Sequence, residues 1–123
     1  MGVRFEQGST RKVIIIGPLA FKLPKGAVGR RCNLHEQGVW ERNRAHESRG
    51  PRLCPVRWCA PGGWLLIMAA AAPAPLDFDI WALDDFWDYC PGDDEWPGEP
   101  KAADWGVFQG RLVMVDYSTP ALT

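Results

Sequence analysis

A chain of 123 residues, 46% hydrophobic and 24% charged, has the length and composition of one folded domain, which excludes a disordered polyelectrolyte. The net charge of −1 conceals an asymmetry: residues 1–58 carry twelve Lys/Arg and four Glu, residues 59–123 two Lys/Arg and eleven Asp/Glu. Halves of +8 and −9 predict either mutual attraction within one domain spanning 1–123 or a basic face that binds phosphate. The most apolar run, Trp64 to Pro75, falls short of the ~20 residues that cross a bilayer. No apolar leader follows Met1, so no membrane segment and a cytoplasmic location are expected. Four cysteines without a secretion signal read as free thiols.

In chain order, Arg11 to Ile16 is a β-branched run closed by Gly17-Pro18, and Leu19 to Leu23 alternates up to Pro24. That pattern predicts two strands joined by a tight turn. The basic, glycine-containing stretch from Lys25 to Arg31 reads as a loop. From Arg30 to Arg44 the pattern turns helical, with Cys32, Glu36, Val39, Trp40 and Asn43 on one face. Asn33 is the expected N-cap, with Glu36 three residues on as in a capping box. Leu53 to Trp58 predicts an edge strand, because Pro55 cannot donate to a ladder. Pro61-Gly62-Gly63 predicts a turn, Trp64 to Met68 a central strand, and Ala69 to Pro75 a linker.

Leu76 to Tyr89 has apolar residues at helical spacing with acids between them, and Cys90 to Pro100 reads as a loop. Val107-Phe108, Gln109-Gly110 and Leu112 to Val115 predict a final hairpin. The expected class is α+β, a small antiparallel sheet with one or two packed helices.

The candidate site residues form an ordered series: Lys22 on a strand, Glu36 on the next helix, then Glu99, Lys101, Asp104 and Asp116. Lys22 and Glu36 have the signs of a strand–helix ion pair, which needs no further role. Asp116 equally suits the end of a strand and the cap of the turn before Thr119-Pro120. Glu99 and Asp104 also read as solvated loop acids, and Lys101 as a local neutralising charge.

Ala20-Phe21-Lys22 is similar to the Ala-x-Lys of protein kinases, whose lysine grips the α- and β-phosphates. Val115-Asp116-Tyr117-Ser118 resembles the Asp-Phe-Gly segment, and Glu99-Pro100-Lys101-Ala102-Ala103-Asp104 keeps the spacing of the catalytic loop Asp-x-Lys-x-x-Asn. In this order the chain resembles the N-terminal lobe and hinge of a protein kinase plus a terminal hairpin. Leu65 to Ala69 stands where the strand enters the hinge. Leu53-Cys54-Pro55-Val56, the stretch from Pro100 to Gly106 and that from Gly110 to Tyr117 are similar to marks of short uncharacterised kinase-like proteins of bacteria and their phages.

The resemblance implies ATP with Mg²⁺ as cofactor. Lys22 and Glu36 would hold the nucleotide, Asp104 and Asp116 the metal, Glu99 would act as base and Lys101 would touch phosphate. No Gly-x-Gly-x-x-Gly precedes Lys22, no His-Arg precedes Glu99, and Ser118 stands in place of the glycine. Seven residues follow Asp116. The expectation is therefore a nucleotide-binding or regulatory domain that does not phosphorylate proteins.

Other readings compete. The Trp/acid-rich stretch from Ile80 to Trp96 (Trp81, Phe86, Trp87, Tyr89, Trp96) suits either core packing or an interaction face for a basic protein partner. Cys32-x-x-His35 with Cys54 and Cys59 offers four soft ligands, but the spacing departs from common zinc knuckles and disfavours zinc. Arg30-Arg31 and the arginines from Arg42 to Arg57, interleaved with Trp40 and Trp58, suit nucleic acid. The acidic second half opposes a polyanion and disfavours that reading.

Overall fold

The computed structural model describes residues 3–79 and 101–118. In order these form strands β1 (Val3–Gln7), β2 (Arg11–Ile16) and β3 (Leu19–Pro24), helix α1 (Gly26–Asn43), then β4 (Val56–Cys59), β5 (Leu66–Ala69), β6 (Ala72–Pro73), β7 (Trp105–Phe108) and β8 (Arg111–Met114). The first five strands make an antiparallel sheet of order β1-β2-β3-β5-β4, and the last three a second antiparallel sheet of order β6-β7-β8. The class is α+β, with one α-helix among the described residues.

Turn chemistry sets both predicted hairpins. Between Ile16 and Leu19 the two-residue loop begins with Gly17 at φ 57°, the positive value that a tight hairpin needs at its first central position. Between Phe108 and Arg111, Gln109 and Gly110 both have positive φ (51° and 78°), the requirement of a type I′ turn.

Register then assigns the faces. Val13 stands opposite Lys22, Ile15 opposite Ala20, and on β5 Leu66 and Met68 oppose Lys22 and Ala20. Because directly opposed residues share a face, these side chains and Arg11 point to the side where α1 lies. The alternate residues Ile14, Phe21 and Ile67 line the other face.

Several boundaries differ from the sequence reading. Helix α1 begins at Gly26, four residues before the expected start, and is preceded by Lys25 with no side-chain cap. The glycines of this stretch signalled a loop, but Gly29 serves close approach: a Cβ there would lie 2.3 Å from the Thr10 carbonyl oxygen. Asn33 is not a cap. It lies inside the helix, buried, and its amide bridges other elements. β1 had no sequence prediction.

β4 is an edge strand as expected but starts at Val56; Leu53 instead forms an isolated parallel bridge with Met114. The central strand starts at Leu66, leaving Trp64 exposed, and the expected linker contains β6. Leu76 to Asp79, the predicted start of a second helix, are not helical; residues 80–89 of that helix and the whole 90–100 loop lie outside the described residues.

The core joins the basic and acidic halves. Val39, Leu53, Cys54 and Val56 pack in one buried cluster with Leu66, Met68, Trp105, Val113, Met114 and Tyr117. The Cys54 amide donates to the Met114 carbonyl (2.9 Å), which ties the lead-in to β4 onto the end of β8. Asp116 is thereby delivered beneath the sheet, beside Lys22. Among the described residues no helix is long and apolar enough to cross a membrane.

Candidate functional site

A cleft of about 640 Å³ opens beneath the five-stranded sheet. Its apolar part is lined by Val13, Ile15, Ala20, Met68 and the alanine-rich stretch 69–74, whose small side chains leave the space open. Its polar end is lined by Arg11, Lys22, Lys101, Asp104, Asp116 and Ser118. The β1–β2 loop, Gly8 to Thr10, forms part of the rim and is held there. The Lys25 amide donates to the Thr10 carbonyl (2.8 Å), and the Lys25 ammonium to the Gly8 carbonyl (2.8 Å).

Glu36 is the hub behind the polar end. It is fully buried and accepts from Lys22 Nζ at 3.0 and 3.2 Å, from the Tyr117 amide at 2.8 Å and from the Arg11 guanidinium. Arg11, itself 5% exposed, also donates to Asn33 Oδ1 (3.0 Å), Ser118 Oγ (3.1 Å) and Asp116 Oδ1 (3.3 Å). Two buried cations therefore face two carboxylates, which is the pairing a low-dielectric interior requires.

Asn33 completes the frame. Its amide donates to the Lys22 carbonyl (3.1 Å) and the Gly63 carbonyl (2.9 Å), fastening α1 to β3 and to the turn before β5.

The segment carrying Asp116 is fixed from both sides. The Asp104 carbonyl accepts from the amides of Val115 (2.8 Å) and Asp116 (3.3 Å). The Val115 carbonyl accepts from Lys22 Nζ (2.5 Å), and the buried Tyr117 hydroxyl donates to the Cys54 carbonyl (2.8 Å). Asp116 itself is partly open, with its side chain 43% exposed. Partial burial alone would raise its carboxyl, but Lys22, Arg11 and the hydrogen bonds from Ser118 outweigh burial and hold it below its ordinary value. Arg11 and Ser118 both bond to Oδ1. Oδ2 has no hydrogen-bond partner among the described residues.

Of the residues singled out in the sequence, Lys22, Glu36 and Asp116 come together although ninety-four positions separate the first from the last. Asp104 joins them through its backbone, with its side chain buried at the cleft, and Lys101 lies exposed on the rim. Glu99 lies outside the described residues, as do Trp81, Phe86, Trp87, Tyr89 and Trp96 of the acidic aromatic stretch.

The proposed soft-ligand set does not assemble: Cys32 is buried on α1, the Cys54 thiol donates to the Ala69 carbonyl (3.1 Å), and no cluster of three or more His, Cys, Asp or Glu among the described residues could hold a metal ion. Burial raises the Cys54 thiol to about 11, so it stays protonated at neutral pH.

Arg11, Asn33 and Tyr117 were not foreseen as parts of the site. For Arg11 a signal existed in the alternation of β2, which sets it on the same face as Val13 and Ile15. A charge in line with an inward apolar pair needs a buried partner. No family model, curated protein or solved structure matches this chain.

Proposed function

We propose that this chain binds a nucleoside triphosphate with Mg²⁺ in the cleft beneath the sheet, in the manner of a minimal protein-kinase core, and acts through that binding rather than by phosphorylating proteins. One observation carries the reading. Lys22 of the third strand, paired to Glu36 of the helix at 3.0 Å, also meets the segment of Asp116 at the polar end of a half-apolar cleft. Kinase-type nucleotide sites need the strand lysine paired to the helix glutamate and a metal-binding aspartate beside them.

The chemistry of the donors supports the cofactor. Mg²⁺ is held by one or two carboxylates plus substrate phosphates rather than by an all-protein cage. Asp116 stays ionised at neutral pH and has an oxygen without a protein partner among the described residues, and Asp104 is its neighbour in the cleft. Bound there, the metal would neutralise phosphate charge. The apolar end, bounded by Met68 and the alanines, suits a flat heterocycle. Lys22 would orient the phosphates, while Glu36 and Arg11 keep Lys22 and Asp116 in place.

Calorimetric titration with ATP, with and without Mg²⁺, tests the proposal. Saturable binding in the micromolar range that requires magnesium and is lost in Asp116→Asn is expected. No binding at about 1 mM ATP, or binding unchanged in Asp116→Asn, overturns it.

A further inference from the structure

β1 is an edge of the five-stranded sheet, and its only sheet neighbour among the described residues is β2. Edge strands of monomers are commonly blunted by proline, by a bulge or by inward-pointing charge. β1 has no proline and pairs with β2 in unbroken register over five residues, and the charges it carries on the α1-facing side, Arg4 and Glu6 opposite Ile15 and Val13, are paired with each other.

Its alternation puts Val3 and Phe5 on the face away from α1, where Phe5 is 67% exposed. Phe5 stands opposite Ile14, Ile14 opposite Phe21, Phe21 opposite Ile67 and Ile67 opposite Trp58. An apolar ladder thus crosses all five strands and ends at β1, the edge of the sheet among the described residues. The opposite face of β1 carries Arg4 and Glu6, an exposed ion pair at 3.4 Å.

We infer that β1 is a self-association edge at which a second copy of this chain pairs antiparallel about a two-fold axis, with Phe5 opposite Phe5 of the partner subunit. A two-fold axis normal to the sheet keeps the faces matched only when residues of equal parity oppose each other, because side chains alternate with period two. Charge then selects among those registers. With Phe5 centred, Arg4 faces Glu6 of the partner subunit and Glu6 faces Arg4 of the partner subunit. Moving the axis to the neighbouring allowed registers would set Arg4 against Arg4 or Glu6 against Glu6.

Opposite charges directly across an antiparallel pair are favourable and like charges unfavourable, and an aromatic pair adds to the first arrangement. The 4–6 pairing is also reciprocal, as an isologous interface demands. The product is a ten-stranded sheet in which the two apolar ladders run on as one. Arg4 and Glu6 also border the cleft, so the association is measured in the absence of nucleotide.

Sedimentation velocity on the full chain from about 1 to 300 µM, a span covering weak and moderate association, tests the inference. A wild-type species of twice 13.8 kDa is expected. Arg4→Glu and Glu6→Arg, both at exposed positions, each replace two attractive pairs by two repulsive ones and should raise the dimer Kd about tenfold. An equal mixture of the two variants restores opposite charges at both pairs and should recover the wild-type Kd, as should the double variant R4E/E6R. A wild type that stays monomeric throughout, whatever else in the chain covers β1, overturns the inference. A dimer indifferent to the single changes, or not rescued by mixing, overturns it as well.

Discussion

Replacing Glu36 by glutamine keeps the size and shape of the side chain and removes its charge, so the hub of the buried network can be tested without making a cavity. Glu36 accepts from Lys22, Arg11 and the Tyr117 amide with no exposure to solvent. Without its carboxylate, Lys22 and Arg11 remain buried, and the carboxylate left bonded to Arg11 is that of Asp116, itself partly solvated. Removing one member of a buried ion pair costs about 3–5 kcal/mol, because the remaining charge is left uncompensated. Against a total stability of roughly 5–15 kcal/mol this is a large fraction. At roughly 4 °C per kcal/mol for a chain of this size, the melting temperature should fall by about 12–20 °C.

Urea denaturation followed by far-UV circular dichroism measures the effect, with Glu41→Gln on the exposed side of the same helix as control. The control should change stability by less than about 0.5 kcal/mol. Adding Lys22→Met to Glu36→Gln should recover part of the loss, since one uncompensated cation is removed. A cost below about 1 kcal/mol for Glu36→Gln would mean that the network behaves as a solvated surface pair and would refute the argument.

Asp116 links stability to acid. Its folded carboxyl lies below the ordinary 3.8, so its contribution is present above 3.8 and lost as pH falls through the folded value. Wild type should be more stable than Asp116→Asn at pH 7, and the gap should close in urea melts run below pH 3.8; a gap that widens there contradicts the assignment. Gly29→Ala forces a Cβ to 2.3 Å from the Thr10 carbonyl oxygen, and overpacking of this kind costs about 1–3 kcal/mol; an unchanged urea midpoint would show that helix and loop separate freely. The Cys54 thiol, held near 11 and buried, should resist iodoacetamide at pH 8 in the native protein and react in urea, as peptide mass spectrometry reads directly. Rapid native labelling at Cys54 would contradict its packing against Ala69.

The α+β class, the two hairpins, the buried face of α1 and the central position of β5 were legible in the sequence, because each rests on local chemistry. Gly17-Pro18 and Gln109-Gly110 specify tight turns, β-branched runs specify strands, and helical spacing sets the inward residues of α1. The pairing of Lys22 with Glu36 was legible as complementary charges on successive elements.

Tertiary structure decided the rest. Whether Gly29 marks a loop or a close contact depends on where Thr10 lies, which no local pattern encodes. Asn33 has the same side chain whether it caps a helix or bridges β3 to the turn at Gly63, and only packing selects the bridge. Arg11 meets Glu36 and Asp116 across twenty-five and one hundred and five positions, so its role exists only once sheet, helix and terminal hairpin share one core. Sequence determined the elements because turn and strand preferences act over a few residues. The site was decided by the fold, since burial forces charges distant along the chain to find one another.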